Sequence, residues 1–556
     1  MIDTFSQLPE HLAEGLLQGG VGKLHLLQLA DICFQAAADP PGRPDLLDLG
    51  ARLLAAAWEA DMLDAPLGRQ LLGLPPKRLA LAPAAQSLCR AVAAHWEVPP
   101  AAGPFFQLLR NADPDPLQNY LETRLDEEPG NLFWLQQAVG LAAFERRFEW
   151  IAGKLHAHNN AALAPLVQKL RADIAFLQGD YATAAAKYAA TLRHLPLAPL
   201  QTRLAETLFR LGKRDAAVGL WRQALAAQPW NVNLLLRLHD CLHDAASQAH
   251  SFDAPLAVLI YTFNKAADLD ATLERLWQSG SIRWPAVRLC VLNNGATDDT
   301  RQVLARWGER FGQAMDLVKL PVNVGAAAAR NWLARVESLA DCSWRLYLDD
   351  DALVPDNWLE LFAAATVRYP EAAVWGCRVL DAVNPAVLQH VDLHLTDAVE
   401  PAAKDPIAPS YAARFAFSML QHQDLDFGQF DYLRPCVSVT GCCHLFRSAD
   451  LLSQPGFDLR FSPSQYDDAD HDLAVAAAGG YAVYQGRLAV LHRRRSGRAC
   501  RLAAADKAHA YGNLYKLQMK YSPATLASIR VADRRRLLAD IEKKIEQLND
   551  AGLLHK

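Results

Sequence analysis

The sequence predicts two architectures in one chain: an all-α N-terminal half that extends to about residue 250, followed by an α/β domain. The first half consists of Leu- and Ala-rich segments with apolar residues every three or four positions, broken by short Pro or Gly turns. From "SFDAPLAVLIYTFNK" onward, β-branched and aromatic runs alternate with amphipathic helices, which is typical of a parallel sheet covered on both faces. At 556 residues the chain is long enough for several domains.

The composition is that of an ordinary globular protein. Lys and Arg number 56 against 61 for Asp and Glu, so the formal net charge is -5, a balance that does not call for a nucleic-acid partner. The start, "MIDTFSQLPEHLAEG", lacks the basic and apolar regions of a signal peptide. No apolar run approaches the roughly 20 residues that span a bilayer. We therefore expect a cytoplasmic protein without a transmembrane segment, and peripheral contact at the inner membrane face stays open.

The ten cysteines form no CxxC pair, so neither a zinc ribbon nor a thioredoxin-type motif is indicated. Cys442 and Cys443 are adjacent, and neighbours in a strand point to opposite faces. This argues against their binding one metal together. We expect both to be packing residues.

Two segments of the helical half, "FLQGDYATAAAKYAATLRHLP" and "RLGKRDAAVGLWRQALAAQPW", can be superposed with an offset of 33 residues. The matched pairs are Gly179 with Gly212, Tyr188 with Trp221, and Pro196 with Pro229. This pattern resembles the tetratricopeptide repeat, whose period is about 34 residues. We expect such repeats over 113–250, and a helical region without a defined period over 1–112. A plain helical bundle is the alternative. Repeats of this kind usually hold a protein segment on a concave surface.

Four strands are predicted in the second half: "LAVLIYTF", "VRLCVLNN", "MDLVKL" and "WRLYLDDD". Helices are expected between them, near 269–278, 298–307 and 326–336. Strands that alternate with helices imply right-handed crossovers and a parallel sheet, and ligands bind such sheets at the carboxyl ends of the strands.

Polar residues collect at these predicted strand ends, in "TFNK", "NNGATDD", "NVGAAAARN" and "LDDD". Asn and Asp side chains can read a base and a ribose, glycines let backbone approach closely, and an arginine offsets phosphate charge. The pattern therefore favours a nucleotide site. The candidate nucleotide-binding residues are Thr262, Asn264, Asn293, Asn294, Asp298, Asn323, Gly325 and Arg330, and Asp349 and Asp350 lie at the same predicted edge.

The three consecutive aspartates, Asp349 to Asp351, are the most unusual feature of this edge. Adjacent carboxylates raise one another's pKa unless a cation or strong donors compensate. Positions i and i+2 of an extended segment project to the same side, so Asp349 and Asp351 can converge on one ion. A solvated turn before a helix is the alternative.

These motifs, in this order and spacing, resemble those of family-2 glycosyltransferases, whose domain has the GT-A (nucleotide-diphospho-sugar transferase) fold. The resemblance covers roughly 253–500 and implies a divalent metal, Mn²⁺ or Mg²⁺, that is held against the donor diphosphate. It implies Asp349 and Asp351 as metal residues, with Asp351 as the direct ligand, and places His492 of "AVLHRRRSG" beside the metal or the diphosphate. The three arginines that follow His492 could close over the phosphates. Asn293 stands where the family usually has Asp, which leaves the nucleotide base open.

Downstream, "GFDLRFSPSQYDDADHDLAVAAAGGY" is similar to the family segment that carries the catalytic base. The resemblance gives that role to Asp468, and a shift of register would give it to Asp467 or Asp470. The segment departs from the pattern, since His471 stands where Leu is usual. An acidic residue at a helix start can also serve as a cap. "VTGCCHLFR" resembles the segment beneath the acceptor pocket, where Gly441 would permit close approach and His444 contacts either the acceptor or the protein core.

The resemblance implies an inverting, metal-dependent glycosyltransferase that moves a sugar from a nucleotide-diphospho-sugar to an acceptor hydroxyl on a protein or a glycan. The helical half would recruit the acceptor or a partner protein. The alternative is a tetratricopeptide scaffold whose transferase-like half binds nucleotide sugar without turnover. A sugar nucleotidyltransferase is disfavoured, because "YTFNKAADLD" lacks a Gly-rich, basic nucleotide loop. Residues 501–556 are expected to be helices that pack on the transferase or mediate self-association.

Overall fold

The computed structural model describes residues 5, 7–38, 43–111, 113–157, 160–243, 251–252, 254–398, 413–418, 420–421, 424–494 and 504–553. The chain divides into two compact units. The first comprises Met1–Cys241, Met419–Gln429 and Ile545–Lys556, and the second comprises Leu242–Ser418 and Phe430–Lys544. None of the described helices combines the length and the apolar composition needed to cross a membrane.

The first unit is built from helices, and its described part up to residue 241 contains no strand. In chain order the helices are α1 (Glu10–Gln18), α2 (Lys23–Ala38), α3 (Pro44–Ala60), α4 (Ala65–Leu72), α5 (Pro83–Ala94), α6 (Ala102–Asn111), α7 (Pro114–Glu127), α8 (Leu132–Phe144), α9 (Phe148–Ala157), α10 (Ala164–Leu177), α11 (Tyr181–Leu192), α12 (Ala198–Arg210), α13 (Arg214–Ala227) and α14 (Val232–Leu242). The all-α prediction for this half of the chain is confirmed.

Two successive helical hairpins, α10 with α11 and α12 with α13, carry the superposed segments. Gly179 and Gly212 both adopt positive φ, 81° and 74°, in the turn between the paired helices. This left-handed conformation ends a helix at least cost when the residue is glycine. Tyr188 and Trp221 are both fully buried on the second helix of their hairpin. The assignment of these hairpins to the tetratricopeptide family, and the boundary at residue 112, stay predictions.

The second unit is an α/β domain around one large sheet. Its strands are β1 (Leu256–Thr262), β2 (Val287–Asn294), β3 (Met315–Leu320), β4 (Trp344–Leu348), β5 (Ala352–Leu353), β6 (Val374–Asp381), β7 (Leu388–His390), β8 (Leu395–Thr396), β9 (Ala416–Phe417), β10 (Leu433–Cys436), β11 (Cys443–Arg447) and β12 (Ala482–His492). Its helices are α15 (Ala266–Ser279), α16 (Thr300–Phe311), α17 (Ala326–Ala334), α18 (Trp358–Arg368), α19 (Ser448–Ser453), α20 (Asp467–Ala477), α21 (Ala504–Lys520) and the long α22 (Pro523–Asp550), whose last turns belong to the first unit.

The order of strands in the sheet is β10-β12-β6-β11-β4-β1-β2-β3. The four strands expected from the sequence pair in parallel, as β4-β1-β2-β3. The prediction of a parallel sheet is wrong for the sheet as a whole, because β11 lies antiparallel between β4 and β6. The connection from β6 to β11 contains no helix among its described residues. Parallel neighbours are usually joined by a helical crossover, and β11 instead runs antiparallel to β6.

Strands and helices of this unit enclose an apolar core in which Val258, Leu346 and Trp375 are completely buried. At the far edge of the sheet, Lys544 of α22 donates a 2.6 Å hydrogen bond to the carbonyl of Leu433 in β10. A covered edge strand presents fewer free backbone groups to other chains. Residues 504–544 thus pack on the α/β domain, which is one of the two expectations stated above for residues 501–556.

Candidate active site

The three aspartates lie directly after β4, at the carboxyl edge of the parallel strands. The backbone N–H of Asp349 donates to the carbonyl of Cys442, 2.9 Å away, which extends the pairing of β4 with β11 by one residue. The short strand β5 follows and pairs with β12. Backbone pairing on both sides therefore fixes this turn. Asp350 and Asp351 are buried, and the side chain of Asp349 is about a quarter exposed.

Two basic side chains face these carboxylates. Lys265, which follows β1, places its Nζ 3.0 Å from Oδ1 of Asp350 and 2.7 Å from Oδ2 of Asp351. His492 ends β12 opposite Ala352, and its Nε2 lies 3.1 Å from Oδ1 of Asp351. The same Nε2 is 4.0 Å from Oδ2 of Asp349. Long-range pairing thus assembles a compact group of three acids and two bases.

The pKa shifts of the three aspartates indicate that the neighbouring positive charges are too few to keep all three carboxylates readily ionised. Burial raises the pKa of Asp350 to about 6, although Lys265 pulls it down. Burial also raises the pKa of Asp349 against the opposing effect of Arg330. In Asp351 burial acts in the same direction, but His492 and Lys265 hold the pKa below its usual value. Carboxylates that remain hard to ionise beside two bases favour a further cation.

Arg330 on α17 connects the aspartates to a second acidic group. Its guanidinium is buried, with Nη1 at 2.6 Å from Oδ2 of Asp467 and Nη2 at 3.8 Å from Oδ1 of Asp349. Nη2 also donates to the carbonyl of Gly441 at 3.4 Å. Burial opposes the charge of Arg330, yet Asp467 and the other acids hold its pKa well above the ordinary value. Arg330 was expected to offset phosphate charge; here it joins three segments of the domain.

The start of α20 carries the three candidate bases in three different environments. Asp467 is buried in the ion pair with Arg330. Asp470 is buried and accepts from Lys520 Nζ at 2.6 Å and from the hydroxyl of Tyr521 at 2.9 Å. Asp468 is partly exposed, and its Oδ2 accepts from the backbone N–H of Gly441 at 2.7 Å.

A glycine is needed at position 441 because the side chains of Arg330 and Asp468 lie very close to the backbone there. A Cβ there would lie 2.7 Å from Nη2 of Arg330 and 2.9 Å from Oδ2 of Asp468, which is shorter than real Cβ contacts. The glycine was expected to allow close approach to an acceptor. In the structure it also lets the carboxylate of Asp468 dock on the backbone.

The segment before α20 is fixed by a C-terminal helix. Asn513 of α21 is buried and donates through Nδ2 to the carbonyls of Phe461 and Ser464, at 2.7 and 2.8 Å. Gln465 and Tyr466 then adopt positive φ, 77° and 66°, immediately before Asp467. Such conformations cost roughly 1–3 kcal/mol each for residues other than glycine and cluster at functional sites.

Several predicted donor-binding side chains build the loops at the strand ends. Asn294 donates to Oδ1 of Asn323 at 2.9 Å and accepts from the N–H of Val324 at 3.0 Å. Asn264 accepts from the N–H of Thr297 at 2.8 Å. These bonds tie the loops after β1, β2 and β3 together.

The remaining predicted donor-site residues lie at the same edge. Oδ1 of Asn293 accepts from the N–H of Ala296 within its own loop. Asp298 accepts from the N–H of Thr300 and of Ala266, and so links the starts of α16 and α15. Thr262 ends β1 and is buried. Gly325 has φ 84°, and a Cβ there would meet the side chain of Ser462 at 2.9 Å.

Three residues close to the acids escaped the sequence analysis. Lys265 was part of the quoted "TFNK" motif, so its position one residue after Asn264 was a usable signal. Cys442 packs in the apolar core, as expected, and its Sγ also lies within 4.8 Å of a carboxylate oxygen of Asp349 and a ring nitrogen of His492. His390 ends β7, where burial lowers its pKa to about 4 against the opposing effect of Asp468. No sequence signal marks His390.

Two further candidates have contacts within the protein. His444 is fully buried, with Nε2 at 3.2 Å from Oδ1 of Asp472, which places it in the core. Arg493 donates through Nε to Asp268 at 2.6 Å, and its backbone N–H donates to the carbonyl of Asp351 at 2.9 Å. Arg495 lies outside the described residues.

A family model described as Glycosyl transferase family 2 matches residues 257–444. These residues form a family-2 glycosyltransferase domain. The match begins in β1 and ends in β11, so it contains the aspartates, Lys265, Arg330 and Gly441. Asp468 and His492 lie beyond it. With the mixed sheet described above, it gives the second unit of the chain the GT-A fold.

Three solved structures are similar to parts of this chain. The crystal structure of GalNAc-T7 with UDP, GalNAc and Mn²⁺ is 11% identical, with 44% of this chain and 44% of that chain covered and a TM-score of 0.34. The mannosyltransferase PcManGT from Pyrobaculum calidifontis in complex with GDP-Man and Mn²⁺ is 16% identical, with coverage of 61% and 88% and a TM-score of 0.33. The crystal structure of S. aureus TarS is 14% identical, with coverage of 43% and 36% and a TM-score of 0.27.

The chain therefore spans less than half the length of the first of these structures. No curated protein matches the chain in sequence.

The residues at the carboxyl edge fit a divalent cation in the glycosyltransferase domain. Oδ1 of Asp351 is buried and accepts no hydrogen bond from a described residue, although it faces Nε2 of His492. The other ring nitrogen, Nδ1 of His492, hydrogen-bonds with Oε1 of Gln389 at 2.9 Å. An imidazole held in this way presents Nε2 to a metal. Asp349, Asp351 and His492 are the residues that would hold the ion.

Proposed function

We propose that this protein is a metal-dependent, inverting glycosyltransferase that moves a sugar from a nucleotide-diphospho-sugar to an acceptor hydroxyl. The observation that carries the proposal is the spacing of two acidic groups around one arginine. Arg330 contacts Asp349 of the aspartate turn on one side and Asp467 at the start of α20 on the other. A diphosphate site beside Asp349 and a base at the start of α20 therefore fit on the two sides of Arg330.

In this proposal the loops after β1, β2 and β3 form the donor site, with the asparagines that already tie them together. Asp349, Asp351 and His492 would hold Mn²⁺ or Mg²⁺. The bound cation would neutralise the charge that develops on the departing nucleoside diphosphate. Lys265 lies against the same aspartates and adds a fixed positive charge beside the leaving group.

The geometry favours Asp468 as the base. Its competitors Asp467 and Asp470 are buried and each is neutralised by a basic partner, Arg330 or Lys520. Asp468 is partly exposed and has no basic side chain bonded to it among the described residues; the N–H groups of Gly441 and Ala469 hold its Oδ2 and Oδ1 and so fix the orientation of the carboxylate. The carboxylate would take the acceptor proton while the acceptor oxygen attacks the anomeric carbon and the bond to the diphosphate breaks. Attack from the face opposite the leaving group inverts the configuration.

We assign recruitment of the acceptor, on a protein or a glycan, to the helical unit. Two consecutive hairpins with matched glycine turns and matched buried aromatics support a repeat surface of the kind that binds protein segments. This assignment rests on fold analogy. A scaffold that binds nucleotide sugar without turnover is the alternative.

The test is release of nucleotide from UDP-, GDP- and dTDP-sugars in the presence of Mn²⁺. We expect one donor to be hydrolysed slowly by the native protein, and the activity to be lost in Asp351→Ala and Asp468→Asn. Asp356→Asn is a matched control, since Asp356 follows the same turn, is largely exposed and pairs only with Arg275 among the described residues. Tight metal-dependent donor binding without turnover, even with cell extract as a source of acceptor, would favour the scaffold.

A further inference from the structure

Cys443, the first residue of β11, and Cys442, directly before it, have different surroundings because of strand register. Cys443 lies opposite Leu348 in the antiparallel pair of β11 and β4, which places Cys442 opposite Asp349. Directly opposed residues project to the same face, with Cβ atoms about 4.5–5.5 Å apart. Alternation along the strand turns Cys443 to the other face. Pairing therefore directs the Cys442 thiol to the aspartate turn.

A thiol, a carboxylate and an imidazole meet at this point. Sγ of Cys442, a carboxylate oxygen of Asp349 and a ring nitrogen of His492 all lie within 4.8 Å of one another. Metal bonds to sulfur and to imidazole nitrogen are about 2.3 and 2.1 Å long for zinc, so two such ligands of a tetrahedral ion are about 3.6 Å apart. The three atoms can bind one ion with small movements.

An independent feature also points to a cation here. Oδ1 of Asp351 is buried and receives no hydrogen bond from a described residue, and Nε2 of His492 stands 3.1 Å from it. Gln389 binds the opposite nitrogen of the ring. A buried carboxylate oxygen and an oriented imidazole therefore face the same space as the thiol.

We propose that Cys442 is a metal ligand, so that the site contains sulfur as well as the oxygen and nitrogen of Asp349, Asp351 and His492. This inference rests on the metal dependence of the proposed function. When the ion binds, the S–H bond breaks, the proton leaves to solvent, and the thiolate sulfur bonds to the metal.

The sulfur changes which metal the site prefers. Mg²⁺ binds oxygen ligands in an octahedron at about 2.0–2.1 Å and gives up water reluctantly. Thiolate and imidazole ligands favour softer ions such as Zn²⁺ and Co²⁺. We expect the native site to bind Co²⁺ and Zn²⁺ more tightly than Mn²⁺, and to bind Mg²⁺ weakly.

The test uses the full-length protein and Co²⁺ alone, without donor or acceptor. A thiolate bound to Co²⁺ gives a charge-transfer absorption in the near ultraviolet, and the visible bands report the coordination geometry. We expect the near-ultraviolet band at one equivalent of Co²⁺ in the native protein, its loss in Cys442→Ser, and its retention in Cys443→Ser. Cys443 is the matched control, because it is equally buried and adjacent in the chain.

A second variant at position 442 tests whether misfolding, rather than loss of the sulfur, removes the band. Cys442→Ala and Cys442→Ser are both compared with the native protein by circular dichroism and thermal unfolding, and both should keep the visible cobalt bands through the remaining ligands. Absence of the near-ultraviolet band in the native protein, or its persistence in folded Cys442 variants, would overturn the proposal.

The readout is also independent of turnover. Sugar transfer with Mn²⁺ by a protein that shows no thiolate band would reject Cys442 as a ligand and leave the transferase proposal standing. A thiolate band in a protein without transfer or hydrolysis would support Cys442 as a ligand and reject the transferase proposal. Metal competition completes the test: Cys442→Ser should lose at least tenfold in Co²⁺ affinity and change little in Mg²⁺ affinity.

Discussion

The neighbouring residues Asp467 and Asp468 should respond in opposite ways to the same substitution. Asp467→Asn removes one partner of a buried ion pair, whose side chains are 3% and 5% exposed and whose atoms are 2.6 Å apart. Breaking such a pair costs about 3–5 kcal/mol, since the remaining charge stays buried. Arg330 keeps Asp349 at 3.8 Å, so we expect the low end, about 3 kcal/mol.

Asp468→Asn should leave stability within about 0.5 kcal/mol, as is usual for substitutions outside a buried network. The amide oxygen can still accept from the N–H of Gly441. The variant cannot take a proton, so the rate should fall about 10²–10⁴-fold, the typical contribution of a general base.

Urea unfolding and donor hydrolysis, measured on both variants and on Asp356→Asn, decide between the two residues. The reasoning predicts a large loss of stability in Asp467→Asn and a large loss of kcat in Asp468→Asn. A stable but inactive Asp467→Asn, together with an active Asp468→Asn, would refute it and move the base to Asp467.

Two other perturbations probe the backbone contact in the site and a buried acid in the helical unit. Gly441→Ala should lower both kcat and the free energy of unfolding, because its Cβ would meet the buried guanidinium of Arg330 at 2.7 Å and the carboxylate of Asp468 at 2.9 Å; equal kcat in hydrolysis assays of the two proteins would contradict the close approach. Burial raises the pKa of Glu59 on α3 from an ordinary value near 4.5 to about 8. The folded state then holds a proton that the unfolded state has lost, so stability should fall by about 1.4 kcal/mol per pH unit between these values, roughly 3 kcal/mol by pH 7. Urea unfolding from pH 5 to 8 should show this slope in the native protein and not in Glu59→Gln; the same slope in both would assign it to other groups.

Local sequence patterns were enough to predict much of the fold and the polar residues at the carboxyl edge of the parallel strands. Periodicity separated the helical half from the α/β half, and the four parallel strands follow from alternation of strand and helix. The aspartate turn was visible because three adjacent acids directly after an apolar strand are unusual. These features are encoded within a few residues, so a single sequence is enough to read them.

The remainder depends on residues far apart in the chain. The antiparallel insertion of β11 between β4 and β6, after which Asp349 donates its N–H to the carbonyl of Cys442, depends on pairing between segments far apart in the chain. The partners of Asp467 and Asp470 come from α17 and α21, 137 and 50 residues away. From the sequence the three acids at the start of α20 look equivalent.

The sequence by itself determined the two architectures, the position of the aspartate turn and the set of candidate acids, because periodicity and motif spacing are local. Tertiary structure decided which acid is neutralised by Arg330, which by Lys520, and which stays partly exposed on the backbone of Gly441. The reason is physical: burial and the nearest opposite charge set the state of a carboxylate, and both depend on segments that only folding brings together.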